Sequence, residues 1–277
     1  MLFRLAFAFA SIALASTMPL LVDPIDAVAQ DMLRSVDLNS PEMSTSEMTR
    51  GEVEALLKAA PQDAAGGRSA DLQGKRLSHL DLSGIDFSGS NLRLVKLNGA
   101  NLKGARLDRA ILNQAWLIDA DLTGASLAGA SLLGTQMQRA RLGGADMKDA
   151  RITADLSGAS LVGARLAGAD LSADMRNQSM GMMRGVLKSA DLSNADLSGA
   201  NLARADLEFA KLQNANLANC NLSRADLAGA DLSNASLAGA DFTETDIASA
   251  LLPGAAALEK ARNLDKASNL NLARRQP

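Results

Sequence analysis

Four of the eleven methionines in the 277-residue sequence are crowded into one stretch, Met175, Met180, Met182 and Met183. Thioethers at that density are suited to Cu(I), although methionine equally fills irregular packing gaps. Acids and bases recur at a spacing of twenty: Arg204, Arg224 and Glu244 form one series, and Asp206, Asp226 and Asp246 another. The single histidine, His79, has no second imidazole with which to share a metal. The single cysteine, Cys220, lies between Asn219 and Asn221 in a slot otherwise filled by alanine, which predicts a buried, inert thiol. Trp116 stands alone between Ala115 and Leu117 and is a candidate contact residue. None of these is a nucleophile beside a base. The aspartates are so regularly distributed that they read as positions in a repeat rather than an acid–base pair.

Composition points to a thin, repetitive interior. Hydrophobic residues make up 47% of the chain but aromatics only 3%, with one Trp and no Tyr. A core without aromatic bulk must be built from leucine and alanine. The net charge of −3 gives no pull toward nucleic acid or anionic membrane. One cysteine cannot form an intramolecular disulfide framework.

The element that must position every side chain is a period of five. Large apolar residues recur from Leu72 to Ile152, then one residue early from Leu156 to Leu171, then from Leu187 to Leu252, in about 35 units. Two residues before each centre sits a small residue, Ala at every such position from Ala100 to Ala130. Two residues after it glycine is frequent, as at Gly99, Gly104 and Gly124. A helix turning about 100° per residue would wind this stripe into solvent. A straight strand would put successive leucines on opposite faces, because five is odd. The pattern is satisfied by a chain that runs extended over Ala-x-Leu and then turns a corner. Gly and Asn suit that corner through their tolerance of positive φ.

The run from Ala190 to Leu207, ADLSNADLSGANLARADL, resembles the pentapeptide-repeat family, A(D/N)LXX. The resemblance covers roughly residues 70 to 252. It implies an all-β solenoid, a right-handed four-sided parallel β-helix with four repeats per coil, hence about nine coils. Twenty residues are then one coil, so Arg204, Arg224 and Glu244 stack on one side and Asp206, Asp226 and Asp246 on the next. Arg204, Asp206, Arg224, Asp226 and Trp116 become a candidate interaction surface. The glycines are corner pieces rather than a phosphate-binding loop.

Open coil ends need covers. Thr49 and Glu52 fit a capping box, and Val53, Leu56, Leu57 and Ala60 fall at helical spacing up to Pro61, so a capping helix is expected over about 50–60. The rest of 30–69 reads as linker. Residues 70–254 are the β-helix, with an irregular loop at about 172–184, and 255–277 is a C-terminal cap or tail. Its Ala255 to Ala267 stretch is either a helix or two degenerate repeats.

The first 29 residues read as a signal peptide: Arg4, an apolar stretch to Val22, and a small-residue site predicting cleavage between Ala29 and Gln30. Removal would leave a charge of about −2. The expectation is therefore an exported, periplasmic, non-catalytic scaffold with no cofactor, no nucleic acid partner and no stable membrane insertion, binding a protein of the envelope. An uncleaved N-terminal anchor is the alternative location. The resemblance also implies a second function, since some members of the family protect DNA gyrase by imitating duplex DNA. The Met stretch leaves a third, Cu(I) binding.

Overall fold

In a computed structural model, residues 36–61, 69–174 and 183–276 are described. Two compact units are distinguished, Met1–Asp37 and Leu38–Pro277, and the repeat lies wholly in the second. The signal segment with Ala29 and Gln30 lies outside the described residues. Among those described, no helix is long and apolar enough to cross a membrane.

The repeat solves a problem of hydrogen-bond accounting. Each five-residue unit carries five N–H groups, and where Asp or Asn holds the outward slot all five kinds find a partner. In the first unit, the Leu72 N–H donates to the Asn91 carbonyl of the next coil (2.9 Å), and the Gly74 N–H donates to the Arg93 carbonyl (2.8 Å). Lys75 closes the corner by donating to the Leu72 carbonyl (3.1 Å), and Asn91 reaches back to the Ala70 carbonyl (2.9 Å). The remaining group, the Gln73 N–H, has no backbone partner and donates to Oδ1 of Asp71, two residues earlier (3.1 Å). The same Asx turn recurs at Asp81–Ser83, Asp196–Ser198 and Asn216–Ala218. Where serine holds the outward slot, at Ser126 and Ser131, the acceptor comes from the coil below. Asp108 accepts from the Ala128 N–H and Asn113 from the Leu133 N–H, both at 3.2 Å.

Parallel bridges link positions twenty apart, as in Asp71↔Asn91↔Ile111, so four units make one coil. Four bridge columns define four walls. Inside, the leucines and alanines from Leu72 to Leu252 form one continuous core, most of them fully buried. Each leucine contributes on the order of 1.5–3 kcal/mol against the cost of ordering its unit. Polar residues in the alanine slot stay satisfied there: Thr135 donates to the Leu112 carbonyl (2.9 Å) and Thr245 to that of Leu222 (2.7 Å).

The two breaks in the period lie one above the other. Ile152 to Leu156 omits the corner residue, so the Gln136↔Asp155 bridge spans 19 positions. One coil later the extra residues enter at the same corner, where Asp155↔Val186 and Asp170↔Asn201 each span 31. Bridges continue on either side, so the stack is unbroken. The Asp174 N–H donates to the Met183 carbonyl (2.9 Å) across the neck of the insertion. Residues 175–182 lie outside the described residues. Gly185 re-enters the coil so close to its neighbours that a Cβ would stand 2.9 Å from the Leu171 carbonyl oxygen.

At the first coil, α1 (Pro41–Ser44) and α2 (Arg50–Ala59) pack on the solenoid. α2 carries the Thr49/Glu52 capping box and buries Val53 and Leu57 over the core. The expectation of a linker through 48 needs correction. The Met43 carbonyl accepts from Ser78 Oγ (2.8 Å) and Asn98 Nδ2 (3.2 Å), and Glu47 donates its N–H to the Arg76 carbonyl (3.0 Å). Residues 38–48 are thus a strap along one wall. At the far end neither alternative for 255–267 holds alone. α3 (Ala255–Leu258) is a single turn, after which the chain completes an irregular coil. Asn263 and Asn269 take its corners with positive φ. That coil ends where β2 (Arg274–Arg275) pairs in parallel with β1 (Leu251–Leu252).

Corners adopt φ near +60° whether or not they are glycine, Arg204 (63°) and Phe209 (56°) included. Beside a large corner residue the next coil often has glycine, and the side chain lies across it. A Cβ on Gly229 would meet the Phe209 ring at 2.4 Å, whereas one on Gly104 meets nothing within 4 Å. Gly104→Ala should cost roughly 1–2 kcal/mol of backbone strain. Gly229→Ala should cost about 1 kcal/mol more, and Phe209→Ala should remove that excess. Urea unfolding of the three variants and the double variant measures both terms.

Candidate functional site

The candidate surface is built on two adjoining columns. Arg204, Arg224 and Glu244 occupy successive corners, all with positive φ. Arg224 Nε donates to Glu244 Oε2 (2.7 Å) and its Nη2 reaches Oε1 (3.4 Å). Past this corner begins the bridge column Asp206↔Asp226↔Asp246. Since strands stack about 4.8 Å apart, three carboxylates stand within direct Coulombic reach.

Two cations absent from the sequence-derived surface bear on this column. Asp206, almost fully buried, is held by Arg184 Nη2 (3.0 Å) and Lys188 Nζ (3.5 Å), and Lys188 also pairs with Glu208 (3.1 Å). Lys188 was findable from the period, since it follows the centre Leu187 as Glu208 follows Leu207. Arg184 was not, because it precedes the recovered register. At the other end, Asn269 Nδ2 donates to Asp246 Oδ1 (2.8 Å). Asp226, between them, has its Oδ1 occupied by the Ala228 N–H (2.9 Å). Burial pushes its pKa up, that backbone bond opposes the rise, and Asp206, Asp246 and Glu208 add to it. Beside the column, Phe209 presents a ring that is 60% exposed.

Trp116 is elsewhere on the molecule. It occupies the same wall three coils from the N-terminal end, in the column between Lys96 and Gln136, and it is half-buried rather than projecting. The structure does not bring it together with the charged columns. His79 sits on a corner (φ 60°) with its ring over Gly99. It lines a cavity of about 320 Å³ between the strap and the wall, with Met43, Asn98, Ile118 and the Asp119–Arg139 pair. Cys220 is fully buried and donates to the Leu197 carbonyl (2.8 Å), and burial pushes its thiol up to about 12, so it holds no thiolate at neutral pH. Of the four methionines only Met183 is described, its methyl group near Gly134. Among the described residues, no three His, Cys, Asp or Glu side chains converge as a metal site requires.

Elsewhere the walls pair their charges from coil to coil. Arg106 meets Asp86 (3.2 Å), Arg139 meets Asp119 (2.7 Å) and Arg165 meets Asp146 (2.6 Å). Asp121 is the most deeply committed. Burial pushes its pKa up, but bonds from Thr123, Lys103 and Arg141 outweigh burial and hold it at about 2.

Residues 70–114, 115–153, 154–173, 186–219 and 220–255 match the profile described as pentapeptide repeats, in 8 copies. Among solved structures the chain is similar to HetL of Nostoc sp. strain PCC 7120, a protein involved in heterocyst differentiation regulation. The identity is 32%, over 82% of this chain and 99% of that one, with a TM-score of 0.38. It is also similar to QnrB1, a plasmid-mediated fluoroquinolone resistance protein (20% identity, 76% and 83% covered, TM-score 0.35). A third similar structure is AT2G44920 from the thylakoid lumen of Arabidopsis thaliana (24% identity, 68% and 76% covered, TM-score 0.15). No curated protein matches.

Asp121 and Asp226 should answer pH in opposite senses. The folded pKa of Asp121 is depressed, so its contribution is present above the ordinary value of 3.8 and is lost as pH falls toward about 2. The folded pKa of Asp226 is raised, so the native state binds the extra proton and stability falls as pH rises through the carboxylate range. Asp226→Asn should raise the melting temperature at pH 7 by about 1–3 °C, a gain absent at pH 3. Asp121→Asn should lower it at pH 7, the difference closing between about pH 4 and pH 2. Thermal melts followed by circular dichroism across that range check both.

Proposed function

The chain belongs to the pentapeptide-repeat family, and from that premise we propose that it is an exported, non-catalytic scaffold. It is a right-handed, four-sided rod of about nine coils whose outer walls bind another protein of the cell envelope. The observation that carries this reading is the use to which the repeat puts its carboxylates. Asp and Asn in the outward slot accept from the backbone two residues on, and many pair with a cation one coil away. Groups so committed give the walls a fixed pattern of charge and shape rather than a base or nucleophile free to react. A rigid wall of this kind suits recognition, because little ordering entropy is lost on binding.

The wall most suited to contact is that of Arg204, Arg224, Asp226 and Phe209. It holds the exposed aromatic ring, a corner arginine whose partner Glu244 is itself solvent-facing, and a carboxylate column left with residual repulsion. Export rests on the apolar stretch to Val22 followed by the small-residue site at Ala29, and the periplasm of a bacterium is the compartment it implies. Imitation of duplex DNA toward a type II topoisomerase would need a continuous acidic wall. The alternating pairs Arg106–Asp86, Arg139–Asp119 and Arg165–Asp146 interrupt any such field.

Photo-crosslinking in the native cell tests the reading. A benzoyl-phenylalanine at position 209 should yield one discrete protein adduct from the periplasmic fraction, and the recovered chain should begin at Gln30. Arg224→Glu should reduce that adduct at least about fivefold with an unchanged melting temperature. A cytoplasmic chain retaining residues 1–29, or an adduct indifferent to position 224, would reject it.

A further inference from the structure

The cavity between the strap and the wall runs over the first four coils and measures about 320 Å³. The strap is tied down along its edge. The Met43 carbonyl is held by Ser78 and Asn98, Glu42 pairs with Lys96 (3.5 Å) and Glu47 with Lys75 (3.3 Å). The cavity is apolar where it is deepest. Met43 and Ile118 line it at only 6% and 4% exposure, and Leu38 of the strap adjoins them. Gly99 adds no side chain, and a Cβ there would meet His79 Nδ1 at 2.5 Å. The volume equals that of roughly ten waters, at the small end of the range for ligand pockets.

The polar groups at its rim divide into engaged and available ones. Asn98 donates to the Met43 carbonyl through Nδ2 and accepts from the Ile118 N–H through Oδ1. Asp119 accepts from Arg139 Nε (2.8 Å) and Nη2 (2.7 Å), so both of its oxygens are taken. That pair uses one edge of the guanidinium. The edge spanned by Nη1 and Nη2 keeps one N–H from each nitrogen, and it has no acceptor among the described residues. Such an edge is a planar fork, which takes a carboxylate in two parallel bonds. The His79 ring likewise forms no hydrogen bond or ion pair among the described residues. Arg139 can only donate, so a ligand head that meets it must accept.

We propose that this cavity binds a small amphipathic carboxylate. Its hydrocarbon body packs on Met43, Ile118 and Leu38, and its carboxylate takes the remaining edge of Arg139 and a ring N–H of His79. An ammonium head finds no place, because the carboxylate of Asp119 is already filled. The ligand touches strap and wall together, so binding fastens the one to the other. This goes beyond the proposed protein recognition, which uses the wall of Phe209 and Arg224, and it stands or falls separately.

Hexanoate, 1-hexanol and hexylammonium share one hydrocarbon body and differ only in the head. In proton–nitrogen correlation spectra of the full chain, hexanoate should shift the Gly99 and Ile118 amides saturably, with a Kd on the order of 1 mM. Hexanol should bind at least about tenfold more weakly, and hexylammonium should leave both amides unmoved. His79→Ala and Arg139→Lys should each weaken hexanoate at least about fivefold. Both side chains are exposed, so both variants should melt within about 2 °C of the parent. Arg106→Lys, on another wall, should leave the affinity unchanged. Shifts that do not saturate, equal affinity for hexanol, or an affinity unmoved by either His79→Ala or Arg139→Lys would each overturn the proposal.

Discussion

One backbone group decides this structure. In a five-residue unit that turns a corner, four N–H groups find carbonyls in the coil above, in the coil below or across the turn, and the fifth does not. An N–H left without a partner costs stability in proportion to its burial. Where Asp or Asn fills the slot before the leucine, that side chain, two residues earlier, supplies the acceptor. The carboxylates of the walls are therefore structural before they are electrostatic. At Ser126 and Ser131, Asp108 and Asn113 take over the duty from a neighbouring coil.

That duty shapes the surface. A carboxylate tied to its own turn keeps one oxygen outward, and an arginine or lysine one coil away bonds to it, as Arg141 does to Asp121 (2.9 Å). Walls built this way are nearly neutral and stiff. The column of Asp206, Asp226 and Asp246 departs from the scheme, because three acids follow one another and the cations Arg184 and Lys188 serve only its lower end. Residual repulsion there distinguishes the wall on which recognition is proposed.

Much of the architecture was legible in the sequence because it depends on one-dimensional spacing. The Leu and Ala positions, the corners and the α2 capping box all follow from local pattern. Legibility failed where the determinant was a contact between distant segments. Nothing in the composition of 38–48 announces that Met43 offers its carbonyl to Ser78 and Asn98. The last coil was undecided because helix formers such as Ala255 to Leu258 also tolerate a single turn within a coil, and tertiary pairing with Asp241 and Asp246 settled it. Trp116 reads from the sequence as an outward residue, yet it is half-buried in its column between Lys96 and Gln136, a packing that spacing alone does not reveal.

The stacked deletion and insertion remain. The corner that lacks one residue and the corner that carries the extra ones fall in register one coil apart, with Arg151 bonded to Asp174 (3.2 Å) beside the join. Neither irregularity has to be absorbed by the walls, which keep their phase above and below. The solenoid thus has a graft point: a place where foreign sequence can be spliced between Asp174 and Met183 while the neighbouring coils carry the mechanical continuity of the shaft.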